Sequence, residues 1–136
     1  MLSKSWKLSF KIKPHGIANG PRDILSLFEN QAEKLYLLFL GQTNRLSICA
    51  HSFGTGCYAK QTSLPLHKLT TITVQQIRYG NQYHIQFFIN GNKEYDRINS
   101  TPRIFNNVTF YACNPGFPPA NVTISEFQVN ANYNEN

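Results

Sequence analysis

The sequence has little charge and no long apolar run. Only 15% of its 136 residues are Asp, Glu, Lys or Arg, and its net charge is +6. No apolar stretch approaches the roughly 18 residues of a membrane-spanning helix, so membrane insertion is not expected. The basic residues are scattered and no recognised nucleic-acid-binding motif is present, so we expect no nucleic-acid partner. The uncharged polar surface that remains suits a neutral partner such as a sugar.

Acidic residues are also scarce, which argues against a metal-binding site. The whole chain has seven Asp and Glu residues, whereas calcium needs several oxygen ligands. No CxxC or HxxxH spacing indicates zinc, and no GxSxG motif indicates a serine hydrolase. Glu94 and Asp96 fall on one face of a predicted strand, roughly 7 Å apart. We interpret them as solvated charges rather than as a glycosidase pair, and expect no metal, no cofactor and no catalysis.

The three cysteines are an odd number, so at least one is free or pairs between chains. Cys49 and Cys57 flank a predicted glycine-rich turn, and both a bridge across a hairpin and three reduced thiols are compatible with the sequence. The first ten residues lack the apolar segment of a signal peptide. Asn-x-Ser/Thr tripeptides nevertheless favour an extracellular location, which we expect for this chain. They begin at Asn99, Asn107 and Asn121.

Most of the sequence alternates between apolar and polar residues with a period of two. The segment WKLSFKIK alternates apolar and polar residues, and Asn90-Gly91 is the pair that most favours a type I′ hairpin turn. Such strands, separated by turn signals, predict one all-β domain over residues 1–136, an antiparallel β-sandwich of jelly-roll type, with a frayed tail at 130–136. The predicted strands are 6–13, Ile24–Phe28, Leu35–Leu40, Leu46–Ala50, Thr70–Ile77, Tyr83–Asn90, Lys93–Ile98, Asn107–Ala112 and Val122–Val129.

The segment from Asp23 to Leu40 also fits a helix, because several of its apolar residues lie near one helical face. A strand, a turn and a second strand fit the surrounding pattern better. The predicted core consists of inward positions on the strands: Trp6, Phe10, Ile72, Val74, Ile85, Phe87, Val108, Phe110, Ile124 and Phe127.

The second half of the chain resembles a known family. Its motifs are Thr71-Ile72-Thr73-Val74, Ile89-Asn90-Gly91, Phe105-Asn106-Asn107-Val108 and Phe127-Gln128-Val129. They are similar to those of the concanavalin A-like, laminin-G-like jelly-roll domains, which are lectin-like, and the resemblance implies that fold. Asn114 stands where relatives have an aspartate that could bind calcium. The galectin sugar-binding motifs are absent.

The resemblance and the polar surface together lead to the hypothesis of a non-enzymatic, carbohydrate-binding lectin. Its partners would be glycans or glycoproteins, and self-association into a homo-oligomer would multiply weak sites. The candidate sugar-binding residues are polar or aromatic: Asn44, Arg45, His51, Gln75, His84, Gln86 and Phe117. A protein-binding adhesion module of a larger extracellular protein is the main alternative, and a structural subunit that oligomerises through its sheet edges is a third. The sequence does not name the sugar.

Overall fold

A computed structural model describes residues 2–17, 19–30, 33–50, 57–112 and 119–132. Within these residues the chain forms ten strands and one short 3-10 helix at Gln42–Asn44. The strands are β1 (Trp6–Pro14), β2 (Arg22–Glu29), β3 (Glu33–Leu40), β4 (Arg45–Ala50), β5 (Cys57–Ser63), β6 (Thr70–Tyr79), β7 (Gln82–Ile89), β8 (Asn92–Asn99), β9 (Val108–Ala112) and β10 (Val122–Asn130).

The strands form two five-stranded sheets. The first sheet has the order β10-β1-β6-β7-β8, and the second has the order β5-β4-β3-β2-β9. Pairing is antiparallel in both sheets. The predicted all-β, antiparallel β-sandwich class is therefore confirmed.

The described residues group into two compact units. The first draws on residues 1–12, 70–106 and 124–136, and the second on residues 13–69 and 107–123. The single-domain organisation over 1–136 stays a prediction. Strand β10 extends to Asn130, and residues 133–136 of the predicted frayed tail lie outside the described residues.

The apolar face of the first sheet follows from alternation along its strands. In β1, Trp6, Leu8, Phe10 and Ile12 are buried, while the residues between them are partly exposed. Antiparallel partners point to the same side of a sheet, and the register continues the buried rows across the neighbouring strands. Leu8 lies opposite Val74, which lies opposite Phe87. Six predicted core residues are confirmed here: Trp6, Phe10, Ile72, Val74, Ile85 and Phe87.

The segment that also fitted a helix forms strands β2 and β3, as the preferred interpretation predicted. Strand β2 lies between β3 and β9, and all but the first of its residues are buried. A central strand buried on both sides carries a continuous apolar pattern, which local periodicity does not distinguish from a helix. Pairing with two neighbouring strands satisfies its backbone in this position.

Four of the predicted core residues are less buried than expected. Val108, Phe110 and Ile124 are half-buried, and Phe127 is 42% exposed, so the core assignment of Phe127 is wrong. The cause is position, because β9 and β10 are terminal strands of their sheets. A side chain on an edge strand has a neighbouring strand on one side only, which leaves more of it in solvent.

Strand β5 is an edge strand that the sequence analysis did not predict. It pairs with β4 and includes Cys57 opposite Cys49. These two cysteines form a disulfide, which settles the alternative that the sequence left open. Cys113 lies outside the described residues.

The hairpin between β7 and β8 turns at Asn90-Gly91, as predicted. Both residues have positive φ, at 51° and 81°, as a type I′ turn requires. The Asn90 side-chain oxygen accepts a hydrogen bond of 2.8 Å from the Thr71 backbone N–H. The turn is thereby tied to the start of β6.

We expect Gly91→Ala to destabilise the protein by about 1–2 kcal/mol, because an L-residue is strained at positive φ. No atom lies within 4 Å of an added Cβ at Gly91, so the loss would be conformational and not steric. Gly20→Ala is the matched control: an added Cβ there is equally unobstructed, and Gly20 does not have positive φ. Equal losses in the two variants, measured by urea unfolding, would contradict this explanation.

Candidate functional site

Four polar side chains lie in one row across the first sheet. Lys7 on β1 is opposite Gln75 on β6, which is opposite Gln86 on β7, which in turn is opposite Asp96 on β8. Directly opposed residues point to the same side of a sheet. The polar row therefore lies on the face opposite the buried Val74 and Phe87, and we call this face the outward face.

A directed hydrogen-bond network runs along the polar row and ends at Asp96. Gln75 Nε2 donates to Gln86 Oε1 at 2.8 Å, and Gln86 Nε2 donates to Asp96 Oδ2 at 2.9 Å. Lys93 Nζ donates to the same oxygen at 3.1 Å, and His84 Nδ1 lies 2.7 Å from Asp96 Oδ1. A carboxylate only accepts hydrogen bonds, so the proton of this contact lies on His84 Nδ1. Both oxygens of Asp96 are thereby fixed.

Burial divides the network into supporting groups and accessible groups. Gln75 is 6% exposed and Gln86 is 2% exposed, so the expectation that they present hydrogen-bonding groups to solvent is wrong. Gln86 bonds Asp96 directly and Gln75 holds Gln86, which makes both of them positioning residues for Asp96. The side chains of His84 and Asp96 remain 20% and 28% exposed. A ligand on this face would reach those two and Lys93.

The charge state of Asp96 follows from this environment. Partial burial alone would raise the pKa of the Asp96 carboxyl. The hydrogen bonds from His84, Gln86 and Lys93, with the charge of His84, outweigh that effect and hold the pKa below its ordinary value of 3.8. The Asp96 carboxylate therefore stays ionised and hydrogen-bonded above about pH 4. Its contribution to stability is present there and is lost as the pH falls through the lowered pKa.

Apolar groups border the polar row on both sides. On one side, the exposed Tyr79 ring meets the His84 ring edge to face, with centroids 5.3 Å apart, and Ile98 is also exposed. On the other side, the half-buried Phe88 lies opposite Thr73 in the next register position. Fixed polar groups between accessible apolar groups are the usual construction of a small-molecule site.

The other predicted site residues lie elsewhere or outside the described residues. Asn44 is buried in the second unit, where its Nδ2 donates to the Gly16 carbonyl at 2.8 Å, and Arg45 beside it is exposed. His51 and Phe117 lie outside the described residues. The structure therefore brings Gln75, His84 and Gln86 together and assigns Asn44 a structural bond.

Asp96 and Lys93 join the site although the sequence analysis did not select them. For Asp96, a β-bulge explains why. Phe88 pairs with Lys93, but Phe87 pairs with Tyr95, so Glu94 is an extra residue in β8. The extra residue brings Asp96 opposite Gln86, whereas unbroken pairing would place Tyr95 there. Asp96 is therefore a bound acceptor and not the simple solvated charge that we expected.

No group of three or more His, Cys, Asp or Glu side chains suited to a metal ion occurs in the described part of the chain. Over the same residues, no helix has the length and apolar character needed to cross a membrane.

No protein-family profile matches the sequence, and no curated protein matches it. Solved structures do match. A Trypanosoma rangeli sialidase in complex with difluorosialic acid has a TM-score of 0.70 at 12% identity, over 94% of this chain and 21% of the sialidase chain. Domain 4 of the arabinanase AbnA from Geobacillus stearothermophilus, in complex with arabinotriose, has a TM-score of 0.60 at 18% identity, over 95% and 61%.

The receptor-binding domain of botulinum neurotoxin type G has a TM-score of 0.62 at 15% identity, over 93% of this chain and 34% of that domain. The chain thus spans about a fifth of the sialidase and a third of the neurotoxin domain. At these identities the likeness concerns the fold, and the specific concanavalin A-like family stays a prediction. The comparisons lead to one conclusion, that this chain is similar in fold to β-sandwich domains of larger carbohydrate-related proteins and toxins.

Proposed function

We propose that this protein binds carbohydrate, without catalysing a reaction, through the outward face of its first sheet. The observation that carries the proposal is the fixed Asp96 carboxylate, with accessible His84 and Lys93 beside it and apolar side chains on either side. Sugar hydroxyls need donors and acceptors held in place, because an ordered site loses less conformational entropy on binding. The apolar face of a sugar ring packs on exposed rings such as Tyr79.

The ligands bound in the similar structures support this proposal. The AbnA domain is in complex with arabinotriose, and the sialidase is in complex with a sialic acid derivative. The AbnA domain is the more informative of the two, because this chain covers 61% of it, against 21% of the sialidase.

The state of Asp96 supports a binding role over a catalytic one. A glycosidase needs one carboxyl that can deliver a proton and a second carboxylate across the scissile bond. The hydrogen bonds to Asp96 lower its pKa, which makes it a poor acid near neutral pH. Glu94, the other candidate of such a pair, is the extra residue of the bulge.

The Cys49–Cys57 disulfide indicates the kind of compartment in which this protein is found. Disulfides persist in oxidising environments such as the cell exterior, and we propose an extracellular location on this basis. Self-association stays a prediction.

The proposal predicts that Asp96→Asn weakens glycan binding by about tenfold or more, equivalent to about 1.4 kcal/mol. The amide would replace one of the two acceptor oxygens by an N–H₂ donor and would remove the negative charge that pairs with Lys93 and His84, so the network would be weakened. Ligands found on a glycan array with the unchanged protein would supply the probe for calorimetry. Glu94→Gln is the matched control, since it removes the same charge two residues away.

The melting temperature of each variant would show that it is folded. A protein that binds nothing on a broad array, or an Asp96→Asn variant that binds as tightly as the original, would overturn the proposal.

A further inference from the structure

A groove of about 630 Å³ lies on the first unit at the β1–β10 side. Lys7, Ser9, Gln128, Val129, Asn130 and Ala131 line it. Lys7 and Ser9 lie opposite Gln75 and Thr73, so the groove opens on the outward face. Lys7 belongs both to the groove and to the polar row, and the row therefore leads from the groove to Asp96.

The separation of the two ends sets the size of a ligand that would use both. Asp96 and Lys7 are three strands apart, which is about 14 Å at the usual strand spacing. The groove extends one strand further, to β10. A single sugar ring does not cover this distance, whereas a chain of linked rings lying across the strands does. The lining of Ser9, Gln128 and Asn130 offers the donors and acceptors that hydroxyl groups need.

Several charged groups on this face pair with one another. Lys93 and His84 both contact Asp96, and Lys11 pairs with Glu126. An acidic sugar whose carboxylate lay at the Asp96 end of the row would meet a like charge, and like charges repel.

Arginine, the residue best suited to hold a carboxylate with two hydrogen bonds, is positioned away from this face in β6 and β8. Arg78 pairs with Tyr83, and Arg97 pairs with the buried Ile85, so both belong to the opposite side of the sheet.

We infer that the ligand is a neutral, linear oligosaccharide that lies across β8, β7, β6, β1 and β10, with one end at Asp96 and the other in the Lys7–Gln128 groove. The inference rests on the proposed function and specifies its ligand class. It separates this protein from a binder of sialic acid, although a sialidase is among the structures of similar fold.

Calorimetry with arabino-oligosaccharides and cello-oligosaccharides of increasing length tests the inference, with 3′-sialyllactose as the acidic probe. For the series that binds, we expect affinity to rise by about tenfold or more from the disaccharide to the tetrasaccharide or pentasaccharide and then to level off. Sialyllactose should bind at least about tenfold more weakly than the longest neutral chain.

Two variants test the two ends of the proposed binding site separately. Gln128→Ala should reduce the gain in affinity with chain length, while Asp96→Asn should weaken short and long chains by similar factors. Gln42→Ala is the control, because Gln42 is an exposed glutamine in the second unit. Melting temperatures would again show that the variants are folded.

The outcomes distinguish the inference from the function on which it rests. Three results would overturn the inference and leave carbohydrate binding in place. The first is affinity that does not rise with chain length, and the second is a Gln128→Ala variant whose affinity rises with chain length as much as that of the original protein. The third is binding of sialyllactose that is as tight as binding of the longest neutral chain. A protein that binds none of these sugars, and nothing on a broad glycan array, would overturn both.

Discussion

Truncation of Phe87 to alanine should lower the free energy of unfolding by about 3–5 kcal/mol, the usual cost of removing a fully buried aromatic ring. Phe87 is 0% exposed and lies between Val74 and Tyr95 on neighbouring strands of the first sheet. The ring has no polar atom to satisfy, so the loss would come from lost burial and the cavity left behind. Urea unfolding measures it directly.

Phe88→Ala is the matched control for this prediction. Phe88 is the next residue in β7, but it lies on the outward face and is half-buried. Removing its ring should cost about 1–2 kcal/mol, because much of the side chain already contacts solvent. Similar losses at the two positions would show that the two faces of β7 are not divided into core and surface as described.

Removal of the Cys49–Cys57 disulfide should cost about 2–3 kcal/mol. The two cysteines are 8 residues apart, and closing a loop of about that length removes this much conformational freedom from the unfolded chain. Comparing the urea unfolding of the oxidised protein with that of the Cys49→Ser, Cys57→Ser double variant measures the effect.

Reductant supplies the control for the disulfide. It should destabilise the original protein to the level of the double variant and leave the double variant unchanged. If it destabilised both equally, the effect would not arise from the Cys49–Cys57 bond, and if it changed neither, the bridge would contribute little to stability.

The strand pattern could be predicted because burial of one face imposes period two on the sequence. Trp6 to Ile12 in β1 show this directly, and the positive-φ preference of Asn90-Gly91 fixed the position of the main turn. Strand β5 escaped prediction because its residues are mostly exposed or half-buried, so its sequence has no strong apolar period.

The candidate site could be predicted only in part. Alternation placed His84 and Gln86 on the outward face and selected Gln75 on the neighbouring strand, which the register pairs with Gln86. It did not reveal that Gln86 is buried, because that depends on how neighbouring side chains cover it. Nor did it select Asp96, because pattern reasoning assumes unbroken pairing and the bulge in β8 breaks it.

The extra residue Glu94 has a consequence for how such a face arises during evolution. The bulge absorbs this one residue, so every position of β8 after Glu94 keeps the side of the sheet that it would have without the insertion. Deletion of Glu94 alone would pair Lys93, Tyr95 and Asp96 regularly with Phe88, Phe87 and Gln86, which leaves Asp96 on the outward face. The polar network therefore tolerates gain or loss of one residue at this position, because the bulge takes up the change in length.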